Sequence, residues 1–495
     1  MELNLKKYAR FLPVILILLG IILRVAQYLY NRSLTEGEAP LAMNIIMRSY
    51  FDLLRPLDYV QSAPIGFLFI EKFFVNILGN NEYTLRLFPL LSGILASFFF
   101  YQVLKHLNDF RICILALSFF VINDHLIYFS SEVKPYSSDV LFGLLLFLLA
   151  IKTLRSNSEC RDIIVLGITG IITTWFSFPS LFIFIGSGLI LIYRTVKSRN
   201  YRALVIIIIL TLVWASNLLL NYLMCLRYYT TQRELLDFWH SAFIPLPPKS
   251  LKEFYQIIYA FLRIFKNPGG FSIYEILLAA LSFFIGVASL WNNKREYCFI
   301  FLIPLFITIL ASSFRLYPFE GRVLLFINAS IILFVSAGLS RLYEILKKES
   351  KIIAILVVLL LFLHPLTISG FHLIKPRAPE ELRPVLEYVN KNKRGDDIIY
   401  VYYGAVNAYK YYQKKFPRLG DDYIPGIESR DDWTGYYRDI ERLKGKRVWF
   451  LFSHIATHLG ANEEKIFLSY LNILGTKIDS FSASGASAYL YYLNR

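Results

Sequence analysis

The run Phe11-Leu12-Pro13-Val14-Ile15-Leu16-Ile17-Leu18-Leu19-Gly20-Ile21-Ile22-Leu23-Arg24-Val25-Ala26-Gln27-Tyr28-Leu29-Tyr30 holds a single charge, Arg24, over the length a helix needs to cross a bilayer. It is too long, and too weakly flanked by small residues, for a cleaved signal peptide. Ser33-Leu34-Thr35-Glu36-Gly37-Glu38 follows, so the apolar run ends on hydroxyls and carboxylates. The pattern recurs along the chain. Further apolar stretches occupy 84–105, 112–128, 137–153, 162–177, 180–194, 203–222, 273–291, 297–314, 323–343 and 352–370. Apolar residues are 56% of the 495, a share soluble domains rarely reach. The expected fold class is an α-helical polytopic membrane protein with about 11 spans.

The net charge of +16 invites a nucleic-acid reading, and the placement of the charge argues against one. Lys and Arg crowd alternate short loops: Lys6, Lys7 and Arg10; Lys105 and Arg111; Lys152, Arg155 and Arg161; Arg194, Lys197, Arg199 and Arg202; Lys294 and Arg295; Arg341, Lys347, Lys348 and Lys351. If each stretch is crossed once, all these loops share one side. This is the positive-inside pattern, which puts the N-terminus in the cytoplasm and the C-terminus outside. No nucleic-acid partner is expected; membrane lipids are. The four cysteines form no CxxC and no evident pair, and the seven histidines show no ligand spacing. His454 and His458 read as an ordinary surface pair. The sequence gives no support for a divalent metal.

Three regions lie on the side opposite the cytoplasm. In 31–83 apolar residues recur at helical spacing and Pro56, Pro64 and Gly66 interrupt them, which predicts two helices lying in the interface. Region 223–272 is aromatic and mixed in charge. The tail reads as a small α/β domain over 371–495, beside a membrane domain over 1–370. It has helices at 379–392, 407–415 and 463–474 and strands at 397–403, 447–453 and 488–493. GxGxxG, GxxxxGK[ST] and GxSxG are absent, so nucleotide binding and the usual serine hydrolase route lack a sequence warrant.

The polar residues most suited to chemistry, as opposed to the basic residues that orient the chain, gather at this one face, which suggests a site working on a lipid-borne or exported substrate. Glu36 and Glu38 are the candidate proton acceptors; the plainer reading is a solvated turn or a cap for a helix starting near Ala39. Glu132, Lys134, Tyr136 and Asp139 fill a very short outer loop, with Lys134 suited to a phosphate and Tyr136 to a sugar. The plainer reading is a Glu132–Lys134 pair and an interfacial tyrosine. Arg322 opens a span and suits either a lipid phosphate or a snorkelling anchor. Arg24 must face protein or water, and ordering the first loop is the role it fits.

These residues, taken in order, resemble the GT-C membrane glycosyltransferases, in the bacterial branch related to protein O-mannosyltransferases and the lipid A aminoarabinose transferase (glycosyltransferase family 39-like). The likeness rests on Arg24 before Glu36-Gly37-Glu38-Ala39-Pro40-Leu41, on Gln61-Ser62-Ala63-Pro64-Ile65-Gly66-Phe67, on Asn81-Glu82-Tyr83-Thr84-Leu85-Arg86-Leu87, on Ser131-Glu132-Val133-Lys134-Pro135-Tyr136-Ser137-Ser138-Asp139, and on Gly321-Arg322-Val323-Leu324-Leu325-Phe326. It runs through about 11–370. One departure stands out: the family's catalytic Asp falls on Gly37, while its neighbouring Glu is kept as Glu38. The resemblance implies inverting transfer of a sugar from a polyprenyl-phosphate donor to a lipid, glycan or protein acceptor outside the bacterial inner membrane. Glu36 or Glu38 would be catalytic, and Glu132, Lys134, Tyr136, Asp139 and Arg322 would bind substrate. A multi-span lipid or glycan transporter or flippase, and a catalytically inert GT-C scaffold in polysaccharide assembly, are the alternatives.

Overall fold

The computed structural model describes residues 11–458 and 460–494, with the side chains of 229, 230, 457 and 458 outside the description. Every one of the eleven apolar stretches holds a helix. Among the described residues nine helices are long and apolar enough to cross a membrane: Leu12–Leu29, Leu87–Lys105, Tyr136–Arg155, Ser180–Lys197, Tyr201–Leu226, Ile276–Asn293, Arg295–Ser313, Gly321–Glu349 and Lys351–Ile374. The other two, Phe110–Ile122 and Cys160–Thr173, fall short of that length. The protein is a multi-pass membrane protein.

Two compact units form, one from residues 1–29 and 48–376, the other from 30–47 and 377–495. In the first, side-chain oxygens set several helix starts: Asp109 accepts from Arg111 N and Ile112 N, Asn123 from Leu126 N, and Ser350 from Ile353 N. The centre is helix Asn328–Glu349, buried along its whole first half. It packs on Ile276–Asn293 through glycines. A methyl group on Gly286 would strike the Phe334 carbonyl, and one on Gly338 the Ser282 carbonyl, so the two backbones touch. Helices Tyr201–Asn221 and Lys351–Ile374 lie at the rim with apolar side chains such as Leu212, Leu356, Leu359 and Leu363 outward, as lipid contact requires.

Helix Leu251–Lys266 has three faces. Phe261 and Phe265 pack on Phe283, Lys252 and Arg263 stay polar, and Leu251, Phe254, Tyr255, Ile258 and Tyr259 are exposed. The expected helices of the first outer region are present as Ala39–Met47 and Ile65–Leu78.

The second unit is a five-stranded sheet in the order 424–425, 398–401, 447–453, 486–493, 475–483. The first three strands run parallel and the last two antiparallel. Helices Leu382–Asn392, Val406–Gln413, Thr434–Glu441 and Glu463–Leu474 accompany it. Tyr400, Tyr402, Tyr436, Phe450, Phe452 and Phe467 build an aromatic core beside the sheet. Strand 475–483 and helix 434–441 lie outside the pattern read from sequence.

Candidate functional site

The candidate residues fall into two groups, one in each unit. In the first unit, Ser130 and Ser131 turn the chain after helix Asp124–Phe129 by donating to Ile127 O and Tyr128 O. Pro135 then opens helix Tyr136–Arg155. That turn sets Glu132, Lys134, Tyr136 and Asp139 around one helix start. Tyr136 accepts a 3.0 Å hydrogen bond from Arg322 Nε, and the guanidinium stands 5.8 Å from the centre of the Trp239 ring. Glu132 and Tyr128 are near enough to act on Arg322 electrostatically. Arg322 is itself exposed, and within the described residues no hydrogen bond uses its two Nη groups. Close by, Arg263 pairs with Glu320 at 2.7 Å along a cleft that Ala242, Tyr259 and Phe319 also line.

The structure thus brings Glu132, Tyr136 and Arg322 together. Lys134 has another anchor: its Nζ donates to Gln61 Oε1 at 2.6 Å. Asp139 is buried, bonded by the Ser177 hydroxyl, with Oδ1 unpartnered. Arg24 is buried as well and donates to the carbonyls of Gly20, Val121 and Phe120. These bonds tie the first helix to the end of helix Phe110–Ile122, leaving the polar loop beyond Leu29 to other residues.

In the second unit, the loop 30–38 carries both candidate acids. Glu38 is fully buried rather than solvated. It forms an ion pair with Arg32, equally buried, and accepts from Thr35 N and Thr35 Oγ1. Glu36 is half-buried, and its two oxygens accept from the Asn407 side chain and from Ala408 N at 3.0 Å. It therefore caps helix Val406–Gln413 from a distant part of the chain. Burial pushes the Glu36 carboxyl up to about 7, against the lowering pull of Ala408, Asn407 and His454 and with a smaller upward push from Glu380. Gly37 is exposed, and an added Cβ would meet only Thr35 Oγ1, at 3.7 Å.

Sequence reasoning missed Trp239, Glu380, Asn407 and His454 as neighbours of these residues. No local motif marks them. Among the described residues no group of three His, Cys, Asp or Glu is placed to hold a metal. The His454–His458 pair cannot be placed in full, because the His458 side chain lies outside the described residues.

No family model matches the chain. No curated protein matches it. Solved structures do. The archaeal oligosaccharyltransferase AglB from Archaeoglobus fulgidus, in complex with an inhibitory peptide and a dolichol-phosphate, is similar with a TM-score of 0.51 at 11% identity, over 98% of this chain and 74% of that one. ArnT from Cupriavidus metallidurans in the apo state is similar with a TM-score of 0.50 at 11% identity, over 94% of this chain and 96% of that one. Both are GT-C membrane glycosyltransferases, and the chain has the GT-C fold.

Proposed function

We propose that the protein transfers a sugar, with inversion, from a polyprenyl-phosphate donor to an acceptor at the outer face of a bacterial inner membrane. The observation that carries this reading is the Arg322 guanidinium. Tyr136 fixes it through Nε alone, which leaves both Nη groups for the paired contact a phosphate accepts. AglB, which has the same fold, was solved with dolichol-phosphate, and that supports a lipid-phosphate donor here. Arg322 and Lys134 hold the phosphate as it leaves, and their charge offsets the negative charge that builds up on it. Glu132, Tyr136 and Asp139 bind the sugar. Glu36 is the base: a carboxyl near 7 is half ionised at neutral pH and takes a proton from the acceptor as the new glycosidic bond forms. Glu38, held by Arg32 and Thr35, shapes the loop.

The protein reconstituted in nanodiscs with a panel of polyprenyl-phosphate sugars should release polyprenyl phosphate, with activity rising as pH increases through about 7. Glu36→Gln should lower turnover roughly 100-fold or more. Reporter fusions at Lys415 and Asn200 should fall on opposite sides of the membrane, external and cytoplasmic; the same side for both would refute the topology.

The inert-scaffold reading has one observation in its favour. Gly37 stands where the resemblance puts an aspartate, and both neighbouring glutamates are bonded within the protein. Binding of polyprenyl phosphate without turnover of any donor would select it.

A further inference from the structure

Loop 30–38 is held by residues far away in the chain. Ser33 N and Ser33 Oγ donate to Glu381 at 3.1 and 3.0 Å, and Leu34 N donates to the Tyr412 hydroxyl at 2.8 Å. Arg383 Nη2 donates to Asn31 O at 2.7 Å. Around Glu36 the contacts form a chain. Its backbone N donates to Glu380 Oε2 at 2.8 Å, and the other Glu380 oxygen bonds His454 Nδ1 at 2.7 Å. Its carboxylate is gripped by Asn407 and Ala408.

His454 follows strand 447–453, and Asn407 lies just beyond strand 398–401. The carboxyl ends of parallel strands, where α/β sheets commonly place their functional loops, thus converge on one glutamate.

We propose that Glu380, Asn407 and His454 are positioning residues: they fix the backbone and the carboxylate of Glu36, so that the C-terminal segment is part of the transfer machinery. This rests on the reading of Glu36 as base. Glu380 sets the backbone, Asn407 and Ala408 set the plane of the carboxylate, and His454 steadies Glu380. The charged groups facing Glu36 are Glu380 and His454, with Arg430 acting on His454 and the Arg32–Glu38 pair on the loop itself.

The signs of these influences differ, which makes the proposal testable. Asn407 and His454 lower the Glu36 pKa, and Glu380 raises it. Full-length Asn407→Ala, His454→Gln and Glu380→Gln are compared with Glu36→Gln in nanodiscs, following kcat against pH and the KM for a polyprenyl-phosphate sugar. Each tail variant should lose roughly tenfold in kcat with donor KM unchanged, as expected for a misplaced catalytic group. The pH limb should move to higher pH in Asn407→Ala and His454→Gln, and to lower pH in Glu380→Gln. His454 is 55% exposed, so His454→Gln leaves no cavity, and its limb decides the matter if another variant unfolds. An inactive Glu36→Gln beside tail variants with unmoved limbs overturns the positioning proposal alone. A fully active Glu36→Gln overturns the base reading, and the proposal with it.

Discussion

The two groups of candidate residues are held in opposite ways. The carboxylates of Glu36 and Glu38 are each bonded by two or more protein groups, Glu38 fully buried and Glu36 half-buried. Arg322 is held by Tyr136 and Lys134 donates to Gln61, and both lie at the surface or only partly buried. A buried carboxylate with no donor costs several kcal/mol, so the loop that carries the acids must bring its own partners. A long cation at a bilayer surface can keep its stem packed and its head in water, and so does not depend on the fold for every contact. The lesson is that the acids are bound into the fold, whereas the cations are presented by it.

That contrast can be broken most directly at Glu38. Glu38→Ala removes the carboxylate that balances the buried charge of Arg32 and should cost about 3–5 kcal/mol of stability, read as a fall in the thermal midpoint in detergent. An unchanged midpoint would mean that the acids are no more bound into the fold than the cations are. Arg322→Ala should leave the midpoint alone and weaken donor use by about 2 kcal/mol, roughly a 30-fold rise in donor KM. Arg322→Lys, which keeps charge and loses the paired geometry, should recover part of that. Lys134→Ala should cost less, about 1 kcal/mol, because its bond to Gln61 already occupies the ammonium in part. Wild-type donor kinetics in both variants would return the two cations to anchoring the chain. The smallest effect on stability is expected at Gly37, where the space around the Cβ position is open. Gly37→Asp should fold normally, and added to Glu36→Gln it should restore turnover if a carboxylate at this point of the loop is what the reaction needs. Failure of the double variant to recover would tie the base to the geometry of Glu36 alone.

Much of the fold was legible because it is written in local hydropathy. All eleven apolar stretches became helices, and Arg447–Ser453 and Glu463–Leu474 lie where alternation and helical spacing put them. Strand 475–483 escaped because Gly-Thr-Lys-Ile-Asp-Ser-Phe-Ser-Ala is an edge strand with mostly exposed side chains, so it shows no buried alternation. Helix 434–441 escaped because it is a run of only eight mostly polar residues, whose buried face of Tyr436, Asp439 and Ile440 includes an aspartate and is too short to stand out. Although Tyr136 and Asp139, read as loop, lie in the first turn of helix Tyr136–Arg155, the types of the candidate residues and their place just beyond the apolar stretches could be read in advance. Their partners could not. Arg322 meets Tyr136 across 186 positions, and Glu36 meets Asn407 across 371. Pairings over such distances are set by tertiary packing, which leaves no mark on the residues next to either partner.

The glycine seam between Ile276–Asn293 and Asn328–Glu349 has a mechanical consequence. Helices that meet backbone to backbone have no side-chain cushion to compress, so sliding or rolling drives a carbonyl of one against a glycine of the other. The helix Asn328–Glu349, which follows the turn carrying Arg322, is therefore closely held along this seam. Any adjustment around Arg322 must then be taken up by the parts that surround this seam rather than by the seam itself.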